Sequence, residues 1–201
     1  MGKIFYLMGK SSSGKDTIFK KLRTASAEGA ALQAIVPYTT RPIRAGEHEG
    51  TEYHFTDEAG YEALLSSGKV IEHRAYQTFY GVWRYFTVDD GQFDPDSDQD
   101  YIMIGTLEGY ASMKAYFGAD KVKPILIELD DGTRLQRALN RERKQAKPKY
   151  EEMCRRFLAD AEDFSEEKLQ QAGIEKRFRN EVLGKCLHEI RSYIFAQHEP
   201  K

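Results

Sequence analysis

Residues 9–17 read Gly-Lys-Ser-Ser-Ser-Gly-Lys-Asp-Thr, the groups that a chain uses to hold a polyphosphate. Gly9 and Gly14 let backbone approach where a Cβ would collide. The N–H groups of Lys10, Ser11, Ser12 and Ser13, with those of a following helix start, converge on one anionic spot. Lys15 adds a mobile cation for the terminal phosphates. Glycine, four residues, then glycine-lysine is the spacing of a phosphate-binding loop, or P-loop. The hydroxyl expected directly after Lys15 comes one place later, at Thr17, and Asp16 stands between them. Two readings of Asp16 stand. A carboxylate is favoured in the first helical turn by the dipole; alternatively, it holds a water of a magnesium ion, which keeps several waters when bound. Thr17 would then supply a hydroxyl to an α- or β-phosphate, making Asp16 and Thr17 the candidate magnesium positions.

A second constellation follows in "PYTTRPIRAGEHEGTEYHF", residues 37–55. Pro42 keeps the segment extended. Arg41 and Arg44, with Tyr53 nearby, form a grip for a phosphate monoester, because planar guanidiniums pair bidentately with phosphate oxygens. A third lies in residues 134–156, where nine Lys or Arg face three Glu. Arg134, Arg137 and Arg141 share one helix face, with Leu135, Ala138 and Leu139 toward another. By contrast, "DDGQFDPDSDQD" (residues 89–100) has six Asp and no basic residue. It reads as an exposed acidic loop; calcium-loop spacing is absent.

The elements that must carry these groups alternate. Residues 3–8 read as a buried strand running into Gly9, and Gly14 to about Ser26 as a helix with Ile18, Phe19 and Leu22 on one face. Residues 101–104 and 122–129 are further strands, each followed by a helical pattern. Such alternation predicts a parallel sheet with helices on both faces. Between about 37 and 93 the pattern changes to short aromatic-rich strands around a helix at 57–67, a small β-rich insertion. Residues 131–171 read as helical and highly charged.

The residues quoted above resemble the guanylate kinase family. That family carries a P-loop ending glycine-lysine-x-threonine, matched by Gly14 to Thr17. Its threonine-threonine-arginine-proline-x-arginine-x-glycine-glutamate stretch is matched by Thr39 to Glu47, and its tyrosine-x-phenylalanine by Tyr53 to Phe55. "VIEHRAY", "FYGV" and "RRFLADAEDF" are similar to later elements. The resemblance implies an α/β P-loop kinase: a parallel sheet core (1–36, 94–130 and 172–201), an acceptor-binding subdomain (37–93), and a helical lid with its following helix (131–171). It implies transfer of the γ-phosphoryl of ATP, with Mg2+, to GMP. Arg41, Arg44, Glu47, Tyr53 and Tyr80 would bind the acceptor; Glu72 would accept from N1 and the 2-amino group of guanine, an edge that adenine lacks. Asn180 matches an asparagine beside the adenine site. Lys15, Arg156, and Arg141 or Arg143 would meet the transferring phosphoryl.

Three base-side positions depart from the family pattern. Pro37 and Val82 stand where serine or threonine is usual. Thr106, also a GMP-side position, stands for an aspartate. A P-loop kinase acting on another monoester, such as ribose 1,5-bisphosphate, and a non-catalytic binding module therefore remain alternatives.

The 201 residues suit one domain, and a formal net charge of −2 provides no overall basic field for nucleic acid or membrane. The apolar run at 4–8 is too short for a signal peptide or a span. Cys154 and Cys186 share no metal-ligand spacing; they read as thiols of a reducing cytoplasm or, alternatively, as a disulfide. The expectation is a cytoplasmic enzyme.

Overall fold

The computed structural model describes residues 1–27, 29–44, 46–78, 81–94 and 96–198. Its centre is a five-stranded sheet in the order β2-β7-β1-β8-β9. The strands are β1 (Ile4–Met8), β2 (Gln33–Ala34), β7 (Tyr101–Ile104), β8 (Val122–Glu128) and β9 (Arg177–Arg179), and every pairing is parallel. All five residues of β1 are fully buried, as a central parallel strand with both faces covered requires. Side chains alternate across a strand. Ile4, Tyr6 and Met8 enter one apolar cluster with Met103, Tyr110 and Leu126, whereas Phe5 and Leu7 enter the other with Ile18, Phe178 and Ile190.

The helices close both faces, and several begin on residues that satisfy orphan N–H groups. They are α1 (Lys15–Leu22), α2 (Glu58–Ser66), α3 (Leu107–Phe117), α4 (Asp131–Glu142), α5 (Tyr150–Asp163), α6 (Glu166–Gln171) and α7 (Leu183–Ala196). Asp57, Thr106 and Asp130 accept from Gly60, Gly109 and Thr133 at 2.8, 3.1 and 2.9 Å, capping α2, α3 and α4. Helix α1 ends at Leu22, a turn short of the sequence expectation. The chain leaves the helix at Thr24 to Ser26, residue types that compete for backbone hydrogen bonds.

A second sheet, in the order β4-β3-β6-β5, is formed by β3 (Tyr38–Thr39), β4 (His54–Phe55), β5 (Val70–Thr78) and β6 (Gly81–Val88). Strands β5 and β6 are antiparallel, with a register shift between Val70 and Glu72. Tyr61, Phe86 and Val88 form its own small core.

The basic segment differs from expectation in one respect. Arg134 and Ala138 are the buried residues of α4, while Leu135 is 39% exposed. The arginine is inside because it has partners there, described below. The acidic loop is tied down locally: Asp90 accepts from Tyr38 at 2.6 Å and Asp100 from the N–H of Lys3 at 2.9 Å. Cys154 is exposed on α5 and Cys186 buried on α7, both as free thiols. Among the described residues, no helix is long and apolar enough to cross a membrane.

Candidate active site

The loop after β1 leaves the carboxyl end of the sheet, where open α/β sheets place ligands. A Cβ on Gly9 would stand 2.5 Å from the Ile127 carbonyl of β8, so the loop leans on its neighbour as only glycine allows. Ser12 sits at φ 63°, in the left-handed region, and Gly14 at φ 92°. These turns swing the chain into α1, whose first residue is the half-buried Lys15. The hydroxyls of Ser12 and Ser13 are buried without a partner. Buried polar groups are normally satisfied, so two orphan hydroxyls in this loop suit a polar, anionic guest. Asp16 and Thr17 lie exposed on the first turn of α1. Both are hard oxygen donors of the kind magnesium takes.

Two later parts of the chain hold the loop in place. Asn180 is buried; its Nδ2 donates to the Ser13 carbonyl at 2.7 Å, and its N–H to the Glu128 carbonyl at 2.8 Å. One of its two amide N–H groups thus positions the loop itself. From the other side, Arg134, 1% exposed, donates to the Ser11 carbonyl at 3.0 Å and to Asp160 at 2.8 Å, and pairs with Asp131. Asp160 of α5 accepts from the Ser11 N–H at 2.7 Å and from its hydroxyl at 3.3 Å. Lys10 lies 3.8 Å from Asp131. It borders a cavity of about 310 Å³ at the end of β8, which Asp130, Arg134 and Glu181 also line.

On the second sheet Arg41 is 3% exposed and meets Glu47 through two bonds, of 2.7 and 2.6 Å. Its guanidinium also lies over the rings of Tyr53 and Phe55, at 5.1 and 5.5 Å. The Glu47 carboxyl is held below the usual carboxylate range, first by its hydrogen bond from Arg41, and it also accepts the Arg44 N–H at 2.9 Å. Glu47 therefore orients Arg41 and the turn that carries the exposed Arg44. Tyr53 continues into Tyr85 and Tyr76, with ring centroids 5.6 and 5.7 Å apart.

Glu72, 7% exposed, accepts from Thr87 at 2.8 Å and from Arg74 at 3.0 and 3.3 Å. Arg74 also donates to Thr106 at 3.1 Å, joining β5 to the cap of α3. Tyr80 lies outside the described residues.

The candidate lid arginines are spread out. Arg141 and Arg143 are exposed at the end of α4. Arg156 is exposed on α5, bonded to Glu152 at 2.8 Å. Arg155 first, and Arg156 as well, push the Glu152 carboxyl down to about 2. Arg137, by contrast, has Nη1 3.7 Å from the place a Cβ on Gly14 would occupy, so its guanidinium is at the loop. Sequence reasoning singled out neither Arg74 nor Asp160, and placed Arg134 among the surface charges. An arginine inside a strand, two residues from a buried carboxylate, was the available signal for Arg74.

Residues 1–85 match the family model described as guanylate kinase. A guanylate kinase of Chromohalobacter salexigens is 37% identical over 127 residues, which is 63% of this chain and 55% of that protein. Another, of Rhodospirillum rubrum, is 39% identical over 84 residues, 41% of this chain and 37% of its own. The matches therefore span about half or less of those relatives' lengths. In three dimensions, the crystal structure of guanylate kinase from Anaplasma phagocytophilum superposes with a TM-score of 0.65 at 22% identity, covering 100% of this chain and 88% of that one. That likeness shows a P-loop α/β kinase fold. In sequence over its first 85 residues, and in fold over its whole length, the chain is thus similar to guanylate kinases.

Proposed function

We propose that the protein transfers the γ-phosphoryl group of ATP to the phosphate of GMP, giving ADP and GDP. What carries the reading is the pairing of two anion grips in one chain. The loop at Gly9 to Thr17 suits a polyphosphate, and the Arg41 cluster on the second sheet suits a monoester. Lys15 and the loop N–H groups would hold and neutralise the β- and γ-phosphates. Arg41, aimed by Glu47 and backed by Tyr53, would fix the acceptor phosphate, with Arg44 at its exposed edge. Asp16 and Thr17 would hold magnesium together with the ATP phosphates, and the ion would supply charge neutralisation there. No general base is required, because the acceptor phosphate is already an anionic nucleophile at neutral pH. Catalysis then consists of alignment and charge stabilisation. Glu72 would take the guanine N1–H and 2-amino donors, an edge that adenine cannot offer.

The test is ADP release from ATP and magnesium with GMP, dGMP, AMP, UMP, CMP or ribose 1,5-bisphosphate, with Lys15→Ala as the control. Preferred turnover of GMP, abolished in the control, is the expected result. Preference for ribose 1,5-bisphosphate moves the acceptor to another monoester. No turnover with any acceptor leaves the chain a binding module.

A further inference from the structure

We infer that Arg74 reads the 6-oxo edge of the acceptor purine, leaving Glu72 when the base arrives. The inference rests on the GMP reading above and names a specificity-determining residue within it. Glu72 and Arg74 are two apart on β5 and so face the same way. In the structure the arginine is the carboxylate's chief partner. Its Nε and Nη2 donate to Oε2 and Oε1 at 3.0 and 3.3 Å, and Thr87 donates to Oε1 at 2.8 Å. Oε1 thus holds two donors and Oε2 one. A carboxylate offers about four lone-pair sites. Guanine brings two adjacent donors, N1–H and the 2-amino group, so both fit only if Arg74 yields its place.

Arg74 is the partner able to move. Its side chain is 15% exposed against 4% for Glu72, so it lies toward the open side of the pair. The carbonyl O6 adjoins N1, and an arginine displaced from the carboxylate that holds N1–H is therefore beside O6. Arginine pairing with O6 and N7 is the commonest specific contact to guanine. The exchange conserves charge-assisted bonds: guanine donors replace those of Arg74 on Glu72, and O6 with N7 replaces Glu72 for Arg74. No alternative donor stands at Val82, an exposed valine. Tyr85, opposite Arg74 in the strand register, continues through its ring contact with Tyr53 to the Arg41 cluster, so one wall links the base edge to the phosphate grip.

The experiment compares kcat/KM for GMP, 6-thio-GMP and IMP in the wild type, Arg74→Ala and Arg74→Gln. The thio analogue keeps both donors and weakens the 6-position acceptor; IMP keeps O6 and loses the amino group. The wild type should prefer GMP over 6-thio-GMP by about tenfold or more. Both variants should bring that ratio close to one and leave the GMP-to-IMP ratio in place. In the wild type, the Arg74 Nε–H resonance should shift on adding GMP and much less on adding 6-thio-GMP, a readout that survives a variant failing to fold. An unchanged ratio, improved GMP use in Arg74→Ala, or an unmoved resonance would make Arg74 a fixed counter-ion and overturn the inference alone. A wild type that phosphorylates ribose 1,5-bisphosphate and not GMP overturns it together with the GMP reading.

Discussion

Asp160 of α5 accepts the backbone N–H of Ser11 at 2.7 Å, so the helix that follows the basic segment is fastened directly to the phosphate loop. The same carboxylate neutralises Arg134, which grips the Ser11 carbonyl. Asp160→Ala removes the loop's tie and one partner of a buried guanidinium. It should lower the unfolding free energy by about 2 kcal/mol, as expected for a hydrogen bond to a charged group. Urea unfolding reads this loss. The KM for ATP should rise in parallel, because the loop N–H groups lose their support.

The position of Arg137 beside Gly14 separates it from Arg141 at the end of α4 and Arg156 of α5. Arg137→Ala should raise the KM for ATP by about tenfold, a loss of about 1.4 kcal/mol. To meet the reacting phosphates as proposed, Arg156 would have to leave Glu152, so Arg156→Ala should lower kcat and leave the KM for ATP unchanged. Steady-state kinetics with ATP varied at saturating acceptor distinguishes the two.

The Arg41–Glu47 pair should make both acceptor binding and stability acid-sensitive. Burial opposes the charge on Arg41, but its hydrogen bonds to Glu47 and the charge of that carboxylate together outweigh it, leaving the guanidinium pKa raised. The Glu47 carboxyl is depressed when folded. Its contribution is therefore complete above the unfolded carboxylate pKa and is lost as pH falls through the lower folded value. Glu47→Gln should be less stable than the wild type at neutral pH, with the gap closing below about pH 4. Arg41→Ala should raise the acceptor KM strongly at neutral pH. Denaturant melts across pH test the first expectation, and acceptor titrations the second.

The two thiols should differ sharply in reactivity. Burial pushes the Cys186 thiol up to about 11, whereas Cys154 is exposed. Only the thiolate is nucleophilic. A disulfide-exchange reagent at neutral pH should titrate one thiol quickly in the native protein and the second only on unfolding. Cys154→Ser should abolish the fast phase.

The parts of the molecule legible in its sequence are those specified locally. The run from β1 through Gly9 to α1 carries its own period, glycines and lysine, and residues 39–55 carry a dense motif. The helix expected over 57–67, found as α2, is likewise a local matter. Strands β2 and β9 are two and three residues long and have no pattern of their own; they exist because β7 and β8 offer edges to them. Arg134 looked like one more charge on an amphipathic helix, and only the tertiary meeting of α4, α5 and the loop puts it inside. Asn180 shows the same limit. The resemblance places it beside the adenine site, and only the tertiary structure adds its hold on the Ser13 carbonyl.

The strand order has a consequence for how the chain divides. Strand β1 lies between β7 and β8, both contributed by residues after position 100, and β2 pairs with β7 rather than with β1. The stretch that carries the family signature therefore contains two core strands that do not touch each other. Expressed as a fragment, residues 1–85 would hold the loop's glycines and lysine but no sheet to present them. The matched stretch and the foldable unit are different lengths of polypeptide here, and a truncation that spares the loop and the Thr39–Phe55 motif should still yield an unfolded product.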